Sequence, residues 1–215
     1  MSFPVVKVLK TFFVPVPELF LANLTIFLII FSARHSYAQD NVFSAQIITD
    51  VNFSQIRGDL LAGYHRVGYG AGVGVSYRMA PMWNAHVHLM YRNAGSRSSP
   101  FTDVKRSIDI HMAQIPVYAS YLTWWDNGLS RIHFDIGMVF GRVVRSRIDF
   151  PQFEENLPFI RQNDFSLLAG MGFWFNIHHG LNVRYIRSLT TLMENQPEDI
   201  RWKMYYISMQ YHYRF

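Results

Sequence analysis

Apolar side chains recur at every second position near the end of the chain, and the positions between them are mostly polar. Counted back from the last residue, the apolar set is Tyr205, Ile207, Met209, Tyr211, Tyr213 and Phe215. A period of two is typical of a β-strand with two chemically different faces. In a water-soluble sheet the apolar face would need a covering layer, and no amphipathic helical pattern follows residue 38 to provide one. The pattern therefore favours a strand whose apolar face contacts lipid.

Seven other segments show a comparable pattern, near the length of about 9 to 11 residues that a tilted strand needs to cross a membrane. The eight predicted strands span residues 43–56, 67–79, 83–93, 108–122, 132–143, 164–177, 181–190 and 202–215. Half of the residues are hydrophobic and only 16% are charged, whereas a soluble domain carries roughly 25%. We therefore predict an all-β fold, an eight-stranded antiparallel transmembrane up-and-down barrel.

The connections between these strands alternate between long and short, which is typical of an outer-membrane barrel with extracellular loops and periplasmic turns. The longest connection, 144–163, carries Phe150, Phe153 and Phe159 among charged residues. Loops well above about 12 to 15 residues are usually functional or disordered. We expect this loop either to contact a secretion-system or surface protein or to fold over the barrel mouth.

The fourth strand interrupts the alternation. Its first half places Ile108, Ile110 and Met112 on the lipid face and Asp109 on the inner face, but its second half fits lipid only in the opposite phase. A β-bulge within residues 113–116 would reconcile the two halves, since a bulge shifts the phase by one residue and tolerates a proline.

The N-terminus has the features of an export signal. Lys7 and Lys10 precede an apolar run at 19–31, and the tripeptide 36–38 places small residues three and one before a cleavage point. We predict a signal peptide at 1–38 and an outer-membrane barrel at 39–215. The chain has no cysteine, which excludes disulfides, thiolate metal sites and a lipidated N-terminal cysteine.

Charged residues also occur at positions whose parity points into the barrel. They are Asp50, Arg78, Arg92, Asp109, Asp135, Arg184 and Arg214. The interior of an eight-stranded barrel is just wide enough for side chains, so we expect these charges to pair and to fill the lumen. This expectation argues against a conducting pore.

Two chemical alternatives have weaker support in the sequence. A zinc site would join His86 and His88 to His133 and Asp135, but the expected fourth strand lies between the two pairs. The simpler interpretation is that interior histidines hydrogen-bond to the aspartates, so we predict no metal and no cofactor. None of the serines has a neighbour that marks it as an activated nucleophile. Without residues 1–38 the net charge falls from +5 to +3, with 17 basic and 14 acidic residues, and this charge gives no strong attraction to nucleic acid.

The segment 51–73, VNFSQIRGDLLAGYHRVGYGAGV, resembles the opening hairpin of the PorT-like outer-membrane β-barrel family of Bacteroidetes-type bacteria. Gln114-Ile115-Pro116-Val117 looks like the strand-four segment of that family. The terminal Tyr213-Arg214-Phe215 is similar to the aromatic signal by which barrels are recognised for insertion, and Tyr211 precedes it on the same face. The resemblance implies outer-membrane residence and contact with outer-membrane lipid and the barrel-assembly machinery. For the founding members it also implies participation in type IX protein secretion.

We therefore expect a non-enzymatic outer-membrane barrel with a plugged polar lumen, which is structural or presents its extracellular loops to a partner. An accessory role in type IX secretion is the first alternative. An outer-membrane enzyme and a soluble ligand-carrying barrel are the remaining alternatives, although a soluble carrier would need a polar exterior.

Overall fold

The computed structural model describes residues 42–58, 63–99, 101, 106–123, 131–150, 153–155, 160–192 and 202–215. The predicted signal peptide at 1–38 lies outside the described residues. Among the described residues, no helix has the length and apolar character needed to cross a membrane. The strands are β1 Phe43–Arg57, β2 Arg66–Ala80, β3 Trp83–Arg97, β4 Ser107–Leu122, β5 Arg131–Phe150, β6 Phe153–Glu155, β7 Asn163–Trp174, β8 His179–Ser188 and β9 Lys203–Arg214.

Eight of these strands form a closed antiparallel barrel. β1 to β5 pair in chain order, β5 pairs with β7, and β7, β8 and β9 follow in order. β9 returns to pair with β1, from Gln46 opposite Arg214 to Arg57 opposite Lys203, and this pairing closes the ring. The short β6 pairs only with the last residues of β5. The predicted eight-stranded barrel is therefore confirmed.

The outer wall is apolar along most of its length. On β5, Phe134, Ile136, Met138 and Phe140 point outward and are 48 to 68% exposed, while the alternate residues His133 and Asp135 are buried. Contact between an apolar surface of this kind and lipid hydrocarbon is favourable, whereas its contact with water is unfavourable. The protein is therefore an integral barrel of the outer membrane. We call the end where β1 finishes and β2 begins the loop end, and the opposite end the turn end.

Two strands run further than the sequence predicts. β5 continues to Phe150 and pairs with β6, with Phe150 opposite Phe153, so the start of the predicted 144–163 loop is regular structure. β4 provides the pairing partner, with Ser107 opposite Asp149. β3 likewise continues to Arg97. The prediction of an irregular loop at these positions is wrong because backbone pairing persists beyond the lipid-facing wall.

The predicted bulge at 113–116 is also wrong. β4 keeps one phase over its whole length and buries Ile108, Ile110 and Met112 inside the barrel. The irregularity is on β5, because His111 pairs with Arg145 and Met112 with Val143, which leaves Val144 as the extra residue. The sequence pattern was misleading because the interior of the barrel is apolar at this height.

Candidate functional site

The first buried ion pair joins β3 to β1. Arg92 Nε on β3 donates to Asp50 Oδ2 on β1 at 2.7 Å. Its Nη1 donates to Gln114 Oε1 at 2.6 Å and to the Tyr206 hydroxyl at 2.7 Å, and Ser208 donates to the second oxygen of Asp50. Both charged side chains are at most 1% exposed. The charge of each is therefore balanced inside the barrel, as a buried pair requires.

The second buried ion pair lies closer to the turn end. Arg184 Nη2 on β8 is 2.9 Å from Asp135 Oδ2 on β5, and the guanidinium lies 4.1 Å above the ring of Tyr118. Asn182 donates to the same carboxylate oxygen at 2.6 Å, and Ser120 donates to the other at 2.5 Å. These donors satisfy a carboxylate that water does not reach, so the arrangement is a structural crosslink between β4, β5 and β8.

Four histidines, His86, His88, His133 and His212, share this half of the lumen. Gln46 connects two of them, since its Nε2 lies 3.1 Å from His88 Nε2 and its Oε1 lies 2.9 Å from His212 Nδ1. The expected hydrogen bonds from these four histidines to aspartates are not found in the part of the chain that the structure describes, since His133 Nε2 lies 3.8 Å from Asp135 Oδ1 and 3.0 Å from the amide nitrogen of Asn182. No three metal-binding side chains among the described residues are arranged to hold a metal ion.

An apolar layer lies in the loop-end half of the lumen, where only polar side chains were expected, and buried polar residues such as Asn52, Ser54 and Asp164 share this half with it. Its members come from seven of the eight barrel strands and from the segment after β8: Ile56, Ala94, Ile108, Ile110, Met112, Tyr118, Val139, Leu168, Ile186, Leu192, Met204 and Tyr206. Most of these residues occupy positions whose alternation along the strand points into the barrel. This parity was the sequence feature from which the layer could have been predicted. The members of the layer pack against one another as in a protein core.

The turn-end half of the lumen encloses a small cavity. Its volume is about 10 Å³, which is enough for roughly one water molecule. Polar and aromatic side chains line it, including His86, His133 and Trp174, and the guanidinium of Arg214 lies 3.7 Å above the Trp174 ring. Neither a substrate nor a hydrated ion fits into a space of this size.

The remaining predicted lumen charges lie outside the two ion pairs. Arg214 stacks on Trp174 at the turn end. Arg78 is exposed at the end of β2, so its predicted place in the network is wrong because the lumen has already opened to solvent there. Asp109 is not in the lumen network either. It has the outward parity of β4 and pairs with Arg66, a consequence of the uninterrupted phase of that strand.

The predicted insertion signal lies on the outer face of β9. Tyr211 and Phe215 are exposed, and the rings of Tyr213 and Phe215 meet edge to face at 5.1 Å. The Phe215 amide donates to the Ala45 carbonyl at 2.9 Å, which ties the end of the chain to β1. Of the predicted partner residues, Phe150 and Phe153 have described backbones, and Phe159 lies outside the described residues.

The interior serines are hydrogen-bonded mainly to carboxylates. Ser166 donates to Asp164 at 2.6 Å, and Ser188 also donates to this buried aspartate, which the sequence analysis did not single out. One serine contacts a histidine, since Ser76 Oγ lies 2.8 Å from His86 Nδ1. Both residues are buried beside the small cavity, so this pair has no room for a substrate. It was missed because the two residues lie on different strands.

No family model matches the chain, and no curated protein matches it. The PorT-like assignment therefore stays a prediction. Among solved structures, Ail of Yersinia pestis, determined with the heparin analogue sucrose octasulfate, is 14% identical and has a TM-score of 0.46, with 80% of this chain and 97% of that chain covered. Neisserial surface protein A is 11% identical, with a TM-score of 0.45 and the same coverage. OprG from Pseudomonas aeruginosa is 15% identical, with a TM-score of 0.44 and 80% and 95% covered.

Proposed function

We propose that this chain is a non-enzymatic outer-membrane barrel in which the lumen is structural and the loop end contacts another protein. The filled lumen supports this proposal. Two ion pairs, four histidines and an apolar layer occupy the interior, and the enclosed cavity holds only about 10 Å³. A ligand carrier or a pore would need an accessible interior, so the surface outside the membrane is left to interact with partners.

The part of the loop end that best suits a partner is the extension of β5. β7 pairs with β5 only as far as Asn163 opposite Arg142, whereas β4 pairs with β5 up to Asp149. The final residues of β5 and the short β6 therefore extend past β7 as two paired strands. Segments that are already paired lose little conformational entropy on binding, which favours recognition by a second protein.

Deleting residues 151–158 removes β6 and leaves the pairing of β4 with β5. We expect the variant to assemble normally, as judged by heat-modifiable migration, and to lose a partner that crosslinks to the native protein in whole cells. The matched control deletes 193–200, another segment of eight residues from a loop-end connection. Unchanged crosslinking in the first variant, or equal loss in both, would contradict the proposal.

The type IX secretion role implied by the sequence resemblance is a narrower form of this proposal, in which the partner belongs to the secretion machinery. We expect the 151–158 deletion then to reduce the amount of secreted cargo in culture medium, while the 193–200 deletion leaves it unchanged. Normal secretion with a lost crosslink would retain the docking role and reject the secretion role.

A further inference from the structure

The outer face of β5 becomes rich in arginine beyond Phe140. The exposed side chains from there toward the loop end include Val144, which is 65% exposed, and the three arginines Arg142, Arg145 and Arg147. We call these three arginines the arginine ladder. It begins where the lipid-facing wall ends, which is the height at which the headgroups of the surrounding lipids lie.

The β5 bulge determines where two members of the ladder point. Strict alternation after Arg142 would turn Arg145 and Arg147 inward, toward the apolar layer. The extra residue Val144 shifts the phase, so that Arg145 and Arg147 pair with the outward residues His111 and Asp109 of β4. Bulges commonly re-aim side chains in this way. This one keeps two cations on the membrane side of the barrel.

The charge of the ladder is only partly balanced by neighbouring side chains. On β4, Ala113 and His111 lie opposite Arg142 and Arg145, and Asp109, which lies opposite Arg147, is paired with Arg66. The exposed Asp149 follows two residues after Arg147 on β5. Neither Arg142 nor Arg145 forms an ion pair with any acidic side chain that the structure describes. An anion outside the chain would therefore meet uncompensated positive charge at this position.

A groove adjoins the ladder between β5 and β7. Its volume is about 540 Å³, and it is open to the outside. Phe140, Phe165 and Ile160 supply its apolar lining, and Thr190 and the 161–164 segment, which includes the buried carboxylate of Asp164, supply the rest. Arg142 Nη2 donates to Gln162 Oε1 at 3.5 Å, which connects the ladder to the polar side of the groove. The groove thus combines a surface for an acyl chain with a surface for a charged headgroup.

We propose that the arginine ladder and this groove form a binding site for a phosphorylated lipid of the outer leaflet. The guanidinium groups bind the phosphate, because arginine donates two parallel hydrogen bonds that match phosphate oxygens. One acyl chain lies along Phe140 and Phe165. The site is tested at Arg142 and Arg145 and does not include β6, so its existence does not depend on the proposed protein contact.

Native mass spectrometry of the full-length folded protein tests the site, with diphosphorylated lipid A as the probe and phosphatidylcholine as the uncharged comparison. We expect lipid A to remain bound in preference to phosphatidylcholine. The double variant R142Q/R145Q should bind lipid A about tenfold more weakly, because it loses the charge-assisted hydrogen bonds to phosphate. The variant R142K/R145K should bind with intermediate affinity, since it keeps the charge but loses the paired hydrogen bonds of each guanidinium.

The matched control is R57Q/R78Q, which removes two exposed arginines from β1 and β2 and makes the same change in net charge. We expect it to bind lipid A like the native protein. Equal weakening in both glutamine variants would indicate general electrostatics and overturn the site, as would native-like binding by R142Q/R145Q. Inorganic phosphate binding at the ladder without lipid would assign the site to a free anion and overturn the lipid proposal. Heat-modifiable migration verifies that each variant is folded.

Discussion

Each buried carboxylate of the two ion pairs receives donors from several strands. Asp135 accepts hydrogen bonds from Arg184, Asn182 and Ser120, and Asp50 accepts them from Arg92 and Ser208. Desolvating such charges is expensive, and their attraction offsets that cost only when the remaining lone pairs are also satisfied. The intact network therefore contributes little to the free energy of unfolding, whereas a network that has lost one partner strongly destabilises the fold.

Replacing Arg184 by leucine leaves Asp135 buried without its cation. We expect the free energy of unfolding to fall by about 3 to 5 kcal/mol, the usual cost of breaking a buried pair. Urea titration in lipid vesicles, followed by heat-modifiable migration, measures this change. Arg187→Leu is the control, since Arg187 is exposed on the opposite face of the same strand, and we expect it to change the free energy by less than about 0.5 kcal/mol. Similar losses in both variants would contradict the structural role of the pair.

Asp50, Arg92, Asp135 and Arg184 could be predicted to face the lumen from strand parity alone, because one apolar face fixes the direction of every other side chain. Their pairing could not be predicted. It depends on how far neighbouring strands are staggered, and stagger brings Asp135 on β5 to Arg184 on β8 with no local sequence signal.

At the scale of the strands, the alternation of apolar and polar residues located all eight membrane-crossing strands. It did not identify the lipid-facing side correctly where both faces of a strand are apolar. Over Ile108–Met112 of β4, the inward side chains pack in the apolar layer, so apolar character no longer distinguishes lipid from lumen. The loop-end limits of β3 and β5 were missed for a related reason. Beyond the membrane a strand does not need a lipid-facing side. Backbone pairing therefore continues there although apolar and polar residues no longer alternate.

The phase of β4 is tested by two substitutions on that strand. Ile110 is fully buried in the apolar layer, whereas Ile115 is 41% exposed on the outer wall. We expect Ile110→Ala to lower the free energy of unfolding by about 2 to 5 kcal/mol, because it leaves a cavity that the packed layer cannot fill. Ile115→Ala should cost less, since lipid can occupy the vacated space. Equilibrium unfolding in vesicles compares the two, and the reverse order would restore the bulged phase in which Ile110 faces lipid.

At the scale of the whole barrel, the lumen is filled in successive layers. The small cavity and the histidines lie toward the turn end, the two ion pairs follow, and the apolar layer lies in the loop-end half. Eight strands enclose only enough space for side chains, and side chains from facing strands occupy it except for the cavity of about 10 Å³. The barrel wall and its contents therefore behave as one packed body.

Planar-bilayer recording should accordingly show no steady conductance after the protein is incorporated. The physical reason is that an ion would have to pass both the ion pairs and the apolar layer without its hydration shell. Insertion is verified separately by the heat-modifiable migration of protein recovered from vesicles of the same lipid. Stable, uniform current steps would contradict the closed lumen.

The pairing of β9 with β1 has a consequence for the order of events during assembly. Ser208 reaches Asp50 across 158 positions of the chain, and His212 reaches Gln46 across 166. Until the last strand arrives, the carboxylate of Asp50 lacks part of its hydrogen bonding and must remain hydrated. Closure of the barrel between β9 and β1 and removal of water from the lumen are therefore one concerted step. This step cannot begin before the C-terminal strand has been synthesised and has reached the site of barrel assembly.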